Sequence, residues 1–266
     1  MFPPVLGGII LNMYTCYSPI LVFNEYQDRY ISVPCGNCYN CQQRLRAEWD
    51  LRLYVESLHS VSSAFVTYTY EDDYLCVAHS YREFQLLHKR MRNDGMDFKF
   101  YHVSEFGETY GRPHNHELIF FKNDVDPLRL YDYAQYGIMD VGTVTPASIH
   151  YVTKWHVHPK YRVGESREQH GFTRQSKGLG SALLDQLTAD NVRPSYKLPN
   201  GNILPVSRYY RKKIGLDLSD YIPDTVYDTI RKKHPSLSDS AIEDMITNLR
   251  NNQFNTQLTP RYDKLQ

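Results

Sequence analysis

Phe98-Lys99-Phe100-Tyr101-His102-Val103-Ser104-Glu105-Phe106 and His114-Asn115-His116-Glu117-Leu118-Ile119-Phe120-Phe121 decide the fold. Both runs are aromatic and β-branched. Between them, residues 107–113 carry Gly107, Gly111 and Pro113, a turn composition. The pair therefore reads as a β-hairpin. Along a strand, alternate side chains share a face, so His114 and His116 stand together. On the partner strand Lys99, Tyr101, Val103 and Glu105 share one face, with Glu105 near the loop end, across from His114. Two imidazoles and a carboxylate suit a loosely held Mg²⁺ or Mn²⁺ with positions left for substrate oxygens. Glu108 competes as the third ligand but lies in the turn.

Around the hairpin the pattern alternates. Gln42 to Leu58 has Leu45, Trp49 and Leu53 at helical spacing. Ser63 to Tyr70 reads as a strand. Ser80-Tyr81-Arg82-Glu83 is a capping box for a helix that Gly95 stops. Asp126-Pro127 and Thr145-Pro146 each pair a cap with a first-turn proline. They open a short helix ending at Gly137 and a helix reaching about Val157, with a strand over 138–144 between them. The resulting βαββαβ order predicts an α+β fold, a ferredoxin-like or RRM-like antiparallel sheet with helices on one face. Residues 1–41 read as an irregular, cysteine-containing segment and 42–160 as the core. Residues 161–215 read as a basic, loop-rich extension and 216–266 as a polar helical tail.

On the helix after the last strand, Tyr151 and Lys154 are i, i+3 and share a face. A phenol beside an ammonium is a candidate nucleophile, because the cation can lower its pKa or take up developing charge. With 23 tyrosines in the chain, it is the combination with the histidine strand that singles this one out. His156-Val157-His158 is a second His-x-His, but Pro159 follows at once and no carboxylate strand precedes it.

The 266 residues carry 30 basic and 30 acidic side chains, which argues against a protein that coats nucleic acid non-specifically. Local charge is more informative. Residues 154–177 and Arg208-Tyr209-Tyr210-Arg211-Lys212-Lys213 are basic and interleaved with aromatics, as single-strand nucleic-acid surfaces often are. No run is long and apolar enough for a membrane span, and Val5 to Leu11 does not read as a signal peptide. Four of the five cysteines are Cys16, Cys35, Cys38 and Cys41. The CxxCxxC run reads as a structural Zn²⁺ site with Cys16 as fourth ligand, or else as reduced packing cysteines.

Phe65-Val66-Thr67-Tyr68, His114-Asn115-His116 and Tyr151-Val152-Thr153-Lys154, in that order, resemble the three motifs of HUH-type rolling-circle replication initiators. The likeness is closer to the initiators of gokushovirus-like microviruses. It is carried by Cys16-Tyr17-Ser18-Pro19, Val33-Pro34-Cys35-Gly36-Asn37-Cys38, Glu105-Phe106-Gly107 and Gly111-Arg112-Pro113-His114. Phe172-Thr173-Arg174-Gln175-Ser176-Lys177-Gly178-Leu179-Gly180 and Arg208 to Lys213 add to it. It covers about residues 13–215. The resemblance implies a metal-dependent endonuclease and strand transferase acting on a single-stranded DNA origin. The metal at His114, His116 and Glu105 would polarise a phosphate. Tyr151 would form a 5′-phosphotyrosyl bond with help from Lys154, and the freed 3′-hydroxyl would prime synthesis by host helicase and polymerase in the bacterial cytoplasm. Thr67, Tyr68, Arg112, Arg208, Arg211, Lys212 and Lys213 are the expected DNA contacts. Ala147 stands where two-tyrosine relatives carry a second tyrosine, so a single nucleophile is expected. Two rival functions remain open: a non-catalytic single-strand binding module stacking bases on Tyr68, Tyr70 and Tyr101, and a nuclease using water.

Overall fold

The structure, a computed structural model, describes residues 5–6, 9–10, 16, 19–25, 28–77, 81–106, 112–154, 172–188, 195–198, 201, 203–215 and 226–257. Its packing divides the chain into two units. One is Arg46–Gly215; the other comprises Met1–Leu45 and Leu216–Gln266.

In the second of these, β1 (Val5–Leu6) pairs with β2 (Ile9–Ile10), and β3 (Ile20–Asn24) pairs with β4 (Arg29–Val33), both antiparallel. The expectation of an irregular segment is corrected here. Ile20-Leu21-Val22-Phe23 is a short run of strand formers, and Asp28 turns the chain with φ 47, a conformation Asp tolerates better than most residues. Helix α1 (Tyr39–Leu58) straddles the unit boundary. It begins three residues earlier than its apolar spacing suggests, because the Cys38 carbonyl already accepts the Gln42 N–H at 3.0 Å.

The larger unit is built on a five-stranded antiparallel sheet. Its members are β5 (Ser62–Tyr70), then, after α2 (Tyr81–Asn93), β6 (Phe98–Phe106) and β7 (Pro113–Phe121). A 3₁₀ segment, Pro127–Tyr133, leads to β8 (Gly137–Gly142), α3 (Pro146–Thr153) and β9 (Phe172–Gln175). The spatial order is β8-β5-β7-β6-β9. β7, the middle strand, is paired on both sides: Thr69, His114 and Glu105 lie abreast, as do Thr67, His116 and Val103. Asp126 caps the 3₁₀ segment by accepting the Leu128 N–H, as its sequence position suggests, though the segment is not α-helical. Ser80, the expected cap of α2, lies outside the described residues. At the other end of α2, Gly95 takes φ +87 and lets the Met96 N–H reach back to the Met91 carbonyl at 3.1 Å.

Helices cover both faces of this sheet, not one. Phe84, Leu87 and Met91 of α2 pack on Ala64, Val66, Phe100 and Ile119. Leu53 of α1 and Ile149 and Val152 of α3 pack on Tyr101, Val103, Leu118 and Phe120. The physical reason lies in Leu118-Ile119-Phe120-Phe121: every member is buried, and a strand apolar on both faces needs cover on both.

The segment expected to be loops is also ordered in part. β9 adds a fifth strand at the edge of β6. A 3₁₀ turn over Ser181–Gln186, the pair β10 (Ser195–Lys197) and β11 (Ile203–Pro205), and α4 (Arg208–Lys213) follow. Leu183, Leu198, Val206 and Tyr210 from this segment pack against Leu51 and Val55 of α1. In the tail, α5 (Val226–Lys233) and α6 (Asp239–Gln257) share a small core of Ile230, Ile242 and Ile246.

Candidate active site

Strand alternation brings His114, His116 and Glu105 to the sheet face that α1 and α3 cover. Each imidazole is held from the neighbouring strand. Thr67 Oγ1 lies 3.1 Å from His116 Nδ1, and Thr69 Oγ1 lies 3.2 Å from His114 Nδ1. With Nδ1 engaged, Nε2 is the nitrogen left to bind a ligand or proton. Nε2 of His116 stands 3.1 Å from Glu105 Oε1.

α3 supplies the remaining groups. Thr145 accepts the Ser148 N–H at 3.1 Å while Ser148 Oγ accepts the Thr145 N–H at 2.8 Å, the reciprocal cap that starts the helix beside Pro146. From α1, Asp50 fastens the helix, accepting the Thr153 hydroxyl and pairing with His150 Nδ1 at 2.8 Å. Tyr151 thereby points at the histidines. Its hydroxyl donates to Glu105 Oε1 at 3.1 Å and lies 3.4 Å from His116 Nε2. Lys154 Nζ stands 3.5 Å from the same Glu105 oxygen and 3.8 Å from the centre of the Tyr151 ring.

Electrostatics follow from this crowding. Burial alone would raise the Glu105 pKa. The hydrogen bond from His116, the Lys154 charge and the Tyr151 hydroxyl more than offset it, leaving Glu105 at about 2 and ionised at neutral pH. Burial lowers the pKa of His114; His116 and Arg112 push the same way, against Glu105, so the ring is neutral as a metal ligand requires. Tyr151 is raised, by burial and by Glu105, against the opposing effect of Lys154. The expectation that Lys154 would bring the phenol below its usual pKa is thus corrected: the nearer carboxylate and the burial outweigh the ammonium. Tyr151 is still 40% exposed, enough for a polymer to reach its oxygen.

The donor set of two oriented imidazoles and one ionised carboxylate fits a divalent ion such as Mg²⁺ or Mn²⁺. Among the described residues, however, only Cys16, Cys35, Cys38 and Cys41, in the other unit, gather three or more ligand atoms tightly enough to share one ion as they stand. Glu108 and the second histidine pair, His156 and His158, lie outside the described residues.

The expected DNA contacts divide. Thr67 is turned to His116 and orients it. Tyr68 points to the opposite face, edge-on to Phe84 of α2 at 5.1 Å, with its hydroxyl donating to the buried Glu117 at 3.2 Å. Tyr70 and Tyr101 are buried as well. None of the three is a stacking platform, because both sheet faces are roofed by helices. Arg112 donates to the Tyr70 carbonyl at 2.8 Å and pairs with Asp72 at 2.6 Å. On α4, Arg208, Lys212 and Lys213 are exposed while Arg211 is buried, as one side of so short a helix must be when Tyr210 and Arg211 face the core. Most of 154–177 lies outside the described residues. Thr69 and Asp50 carry no motif that singles them out; the one sequence signal is that Thr67 and Thr69 repeat the i, i+2 spacing of His114 and His116.

Residues 63–159 match a family of replication-associated proteins of the ORF2 type, a span that holds Thr67, Glu105, both histidines, Tyr151 and Lys154. The chain is similar to replication-associated proteins of bacteriophages. It is 26% identical over 239 residues to Replication-associated protein VP4 of Bdellovibrio phage phiMH2K, a match covering 78% of this chain and 75% of that protein. It is 25% identical over 190 residues to Replication-associated protein ORF4 of Chlamydia phage 1, covering 59% of this chain and 47% of the relative, so about half of that longer protein. Among solved structures, the hypothetical protein ORF119 from Sulfolobus islandicus rod-shaped virus 1 aligns over 43% of this chain and 96% of its own, with 18% identity and a TM-score of 0.28. No helix of the described residues is long and apolar enough to cross a membrane.

Proposed function

We propose that this protein starts rolling-circle replication of a phage genome as an HUH-type endonuclease, nicking single-stranded DNA at its origin and transferring the strand to Tyr151. The observation that carries this reading is the placement of the Tyr151 hydroxyl 3.1 Å from Glu105 Oε1 and 3.4 Å from His116 Nε2. A nucleophile is there brought against a metal-ligand set. The β8-β5-β7-β6 order is that of a ferredoxin-like sheet, the scaffold the reading requires, and the likeness to phage replication-associated proteins points to the same process.

Tyr151 Oη attacks phosphorus in line with the leaving 3′ oxygen. The Oη–P bond forms, the P–O3′ bond breaks, and the 3′ oxygen takes a proton to become the hydroxyl that primes synthesis. The strand stays on the protein as a 5′-phosphotyrosyl ester. Glu105 Oε1, the nearest acceptor, receives the phenolic proton and passes it to water, since a carboxylate with a pKa of about 2 does not retain it. Lys154 stabilises negative charge on Oη. A divalent ion, Mg²⁺ or Mn²⁺, held by His114, His116 and Glu105 would polarise the scissile phosphate. Host helicase and polymerase then extend the freed end in the bacterial cytoplasm, and exposed Arg208, Lys212 and Lys213 contribute to holding the DNA backbone.

The test is incubation with overlapping single-stranded segments of the replicon that encodes the chain, with Mn²⁺ present, followed by denaturing electrophoresis. Wild type should give a DNA adduct and Tyr151→Phe none. An adduct with Tyr151→Phe would assign the nucleophile elsewhere; wild-type cleavage without any adduct would make water the nucleophile and remove strand transfer.

A further inference from the structure

The cysteine group belongs to the smaller unit and takes no part in the chemistry above. Cys35 follows β4 by two residues, Cys38 directly precedes α1, and Cys41 lies in its first turn. Cys16 comes from the other end of the hairpin, four residues before β3. The four sulfurs lie within 4.8 Å of one another. Cys16 Sγ is 3.7 Å from Cys35 Sγ and 3.8 Å from Cys38 Sγ.

These separations discriminate between the possible states. A disulfide brings sulfurs to about 2.05 Å, and none of the four is so bonded. Four thiolates each about 2.3 Å from a tetrahedral zinc stand roughly 3.8 Å apart, which is the spacing found. Backbone amides also point at the sulfurs: the Cys35 N–H donates to Cys16 Sγ and the Cys38 N–H to Cys35 Sγ, both at 3.3 Å. Amide donors directed at sulfur favour the thiolate over the thiol. The positive end of α1, a 20-residue helix, acts in the same sense on Cys38 and Cys41.

The hairpin also needs such a fastening. An isolated two-stranded hairpin is marginal in water. Ile20, Leu21, Val22 and Phe23 of β3 are all exposed, so no apolar core beneath that strand holds it closed. A cross-link between Cys16 and Cys35, at its two ends, would.

We propose that Cys16, Cys35, Cys38 and Cys41 bind one structural Zn²⁺, which closes the base of the β3–β4 hairpin and ties it to the start of α1. The site is soft, all-sulfur and coordinatively closed, unlike the nitrogen and oxygen set at His114, His116 and Glu105, and it stands whether or not the chain nicks DNA.

Purified full-length protein, grown with zinc and handled under reducing conditions, is to be measured by elemental analysis and by zinc-edge X-ray absorption. The expected result is one zinc per chain with four sulfurs at about 2.3 Å. Cys16→Ser should lower the sulfur count to three or release the metal. If that variant does not fold, the wild-type sulfur count decides by itself. A zinc-free chain whose four thiols react in the native state as free cysteines do would overturn the proposal, as would a bound zinc whose shell is mainly nitrogen and oxygen or holds fewer than four sulfurs.

Discussion

Thr67 Oγ1 lies 3.1 Å from His116 Nδ1, and two residues along the same strand Thr69 repeats the relation to His114 at 3.2 Å. Two threonines and two histidines thus interlock across β5 and β7 on the register Thr67–His116 and Thr69–His114. Holding Nδ1 fixes each ring's orientation and leaves Nε2 for the metal. Losing such a support typically costs about 10–100-fold in metal affinity. Thr67→Val keeps the shape and strand propensity and removes the hydroxyl. It should weaken Mn²⁺ binding by about that factor with melting little changed, and Thr67→Ser should restore most of it. Titration of Mn²⁺ followed by electron paramagnetic resonance checks this; unchanged affinity in both Thr67→Val and Thr69→Val would deny the threonines this role.

Lys154 is the cation that opposes the upward shift of the Tyr151 phenol. Cleavage through phenolate should rise with pH toward the raised pKa of Tyr151. Lys154→Ala removes the opposing charge, so its pH–rate limb should move to higher pH and its rate at neutral pH should fall roughly tenfold. A slower variant with an unmoved limb would place Lys154 on the DNA and not on the phenol.

On the opposite face Glu117 is buried, paired with His88 Nε2 at 2.8 Å and accepting from Tyr68 at 3.2 Å; His102 Nδ1 is 3.6 Å away, too far for a hydrogen bond. Burial raises its pKa, but the His88 charge and contacts with both histidines prevail and hold it at about 2. Its folded pKa is depressed, so its contribution is complete above the ordinary glutamate value of about 4.3 and is lost as pH falls toward 2. His102 is lowered too, mainly by burial, so its contribution begins to erode below about pH 6.5. Melting should therefore weaken in two stages on acidification. Glu117→Gln should cost about 1–3 kcal/mol at pH 7 and flatten the lower stage, as thermal unfolding between pH 7 and 3 would reveal.

Gly180 takes φ +73, and a Cβ there would come within 2.6 Å of the Arg52 carbonyl oxygen and 2.7 Å of the Tyr210 hydroxyl. The position is pinned further, its N–H donating to Glu56 and its carbonyl accepting from Tyr210. Gly180→Ala combines left-handed strain of about 1–3 kcal/mol with a clash against backbone. Gly201→Ala, at φ +86 with nothing within 4 Å, carries the strain alone. Gly180→Ala should lower the melting temperature clearly more than Gly201→Ala; equal effects would show that the loop yields.

What could be read from the chain was whatever depends on neighbours in sequence. Strand alternation put His114, His116 and Glu105 on one face. Thr145-Pro146 announced the cap of α3, and helical spacing set Lys154 beside Tyr151. The hairpin β3–β4 and the edge strand β9 were missed because each is only four or five residues long, too short for periodicity to stand out. Tyr68 misled for another reason. Alternation says that it opposes Thr67, but only the helix packed on each face says which side is solvent.

The sequence by itself determined the strand and helix identities in the core and the shared face of the metal ligands, because backbone geometry imposes periods of two and 3.6 residues locally. Only the tertiary structure decided what holds and aims them. Thr67 meets His116 from 49 residues away, and Asp50 grips α3 across about a hundred. Arg211 left the basic surface for the interior, and Cys16 joined the other cysteines from across a hairpin. Such contacts depend on how whole elements pack, and no periodicity within a single element encodes that.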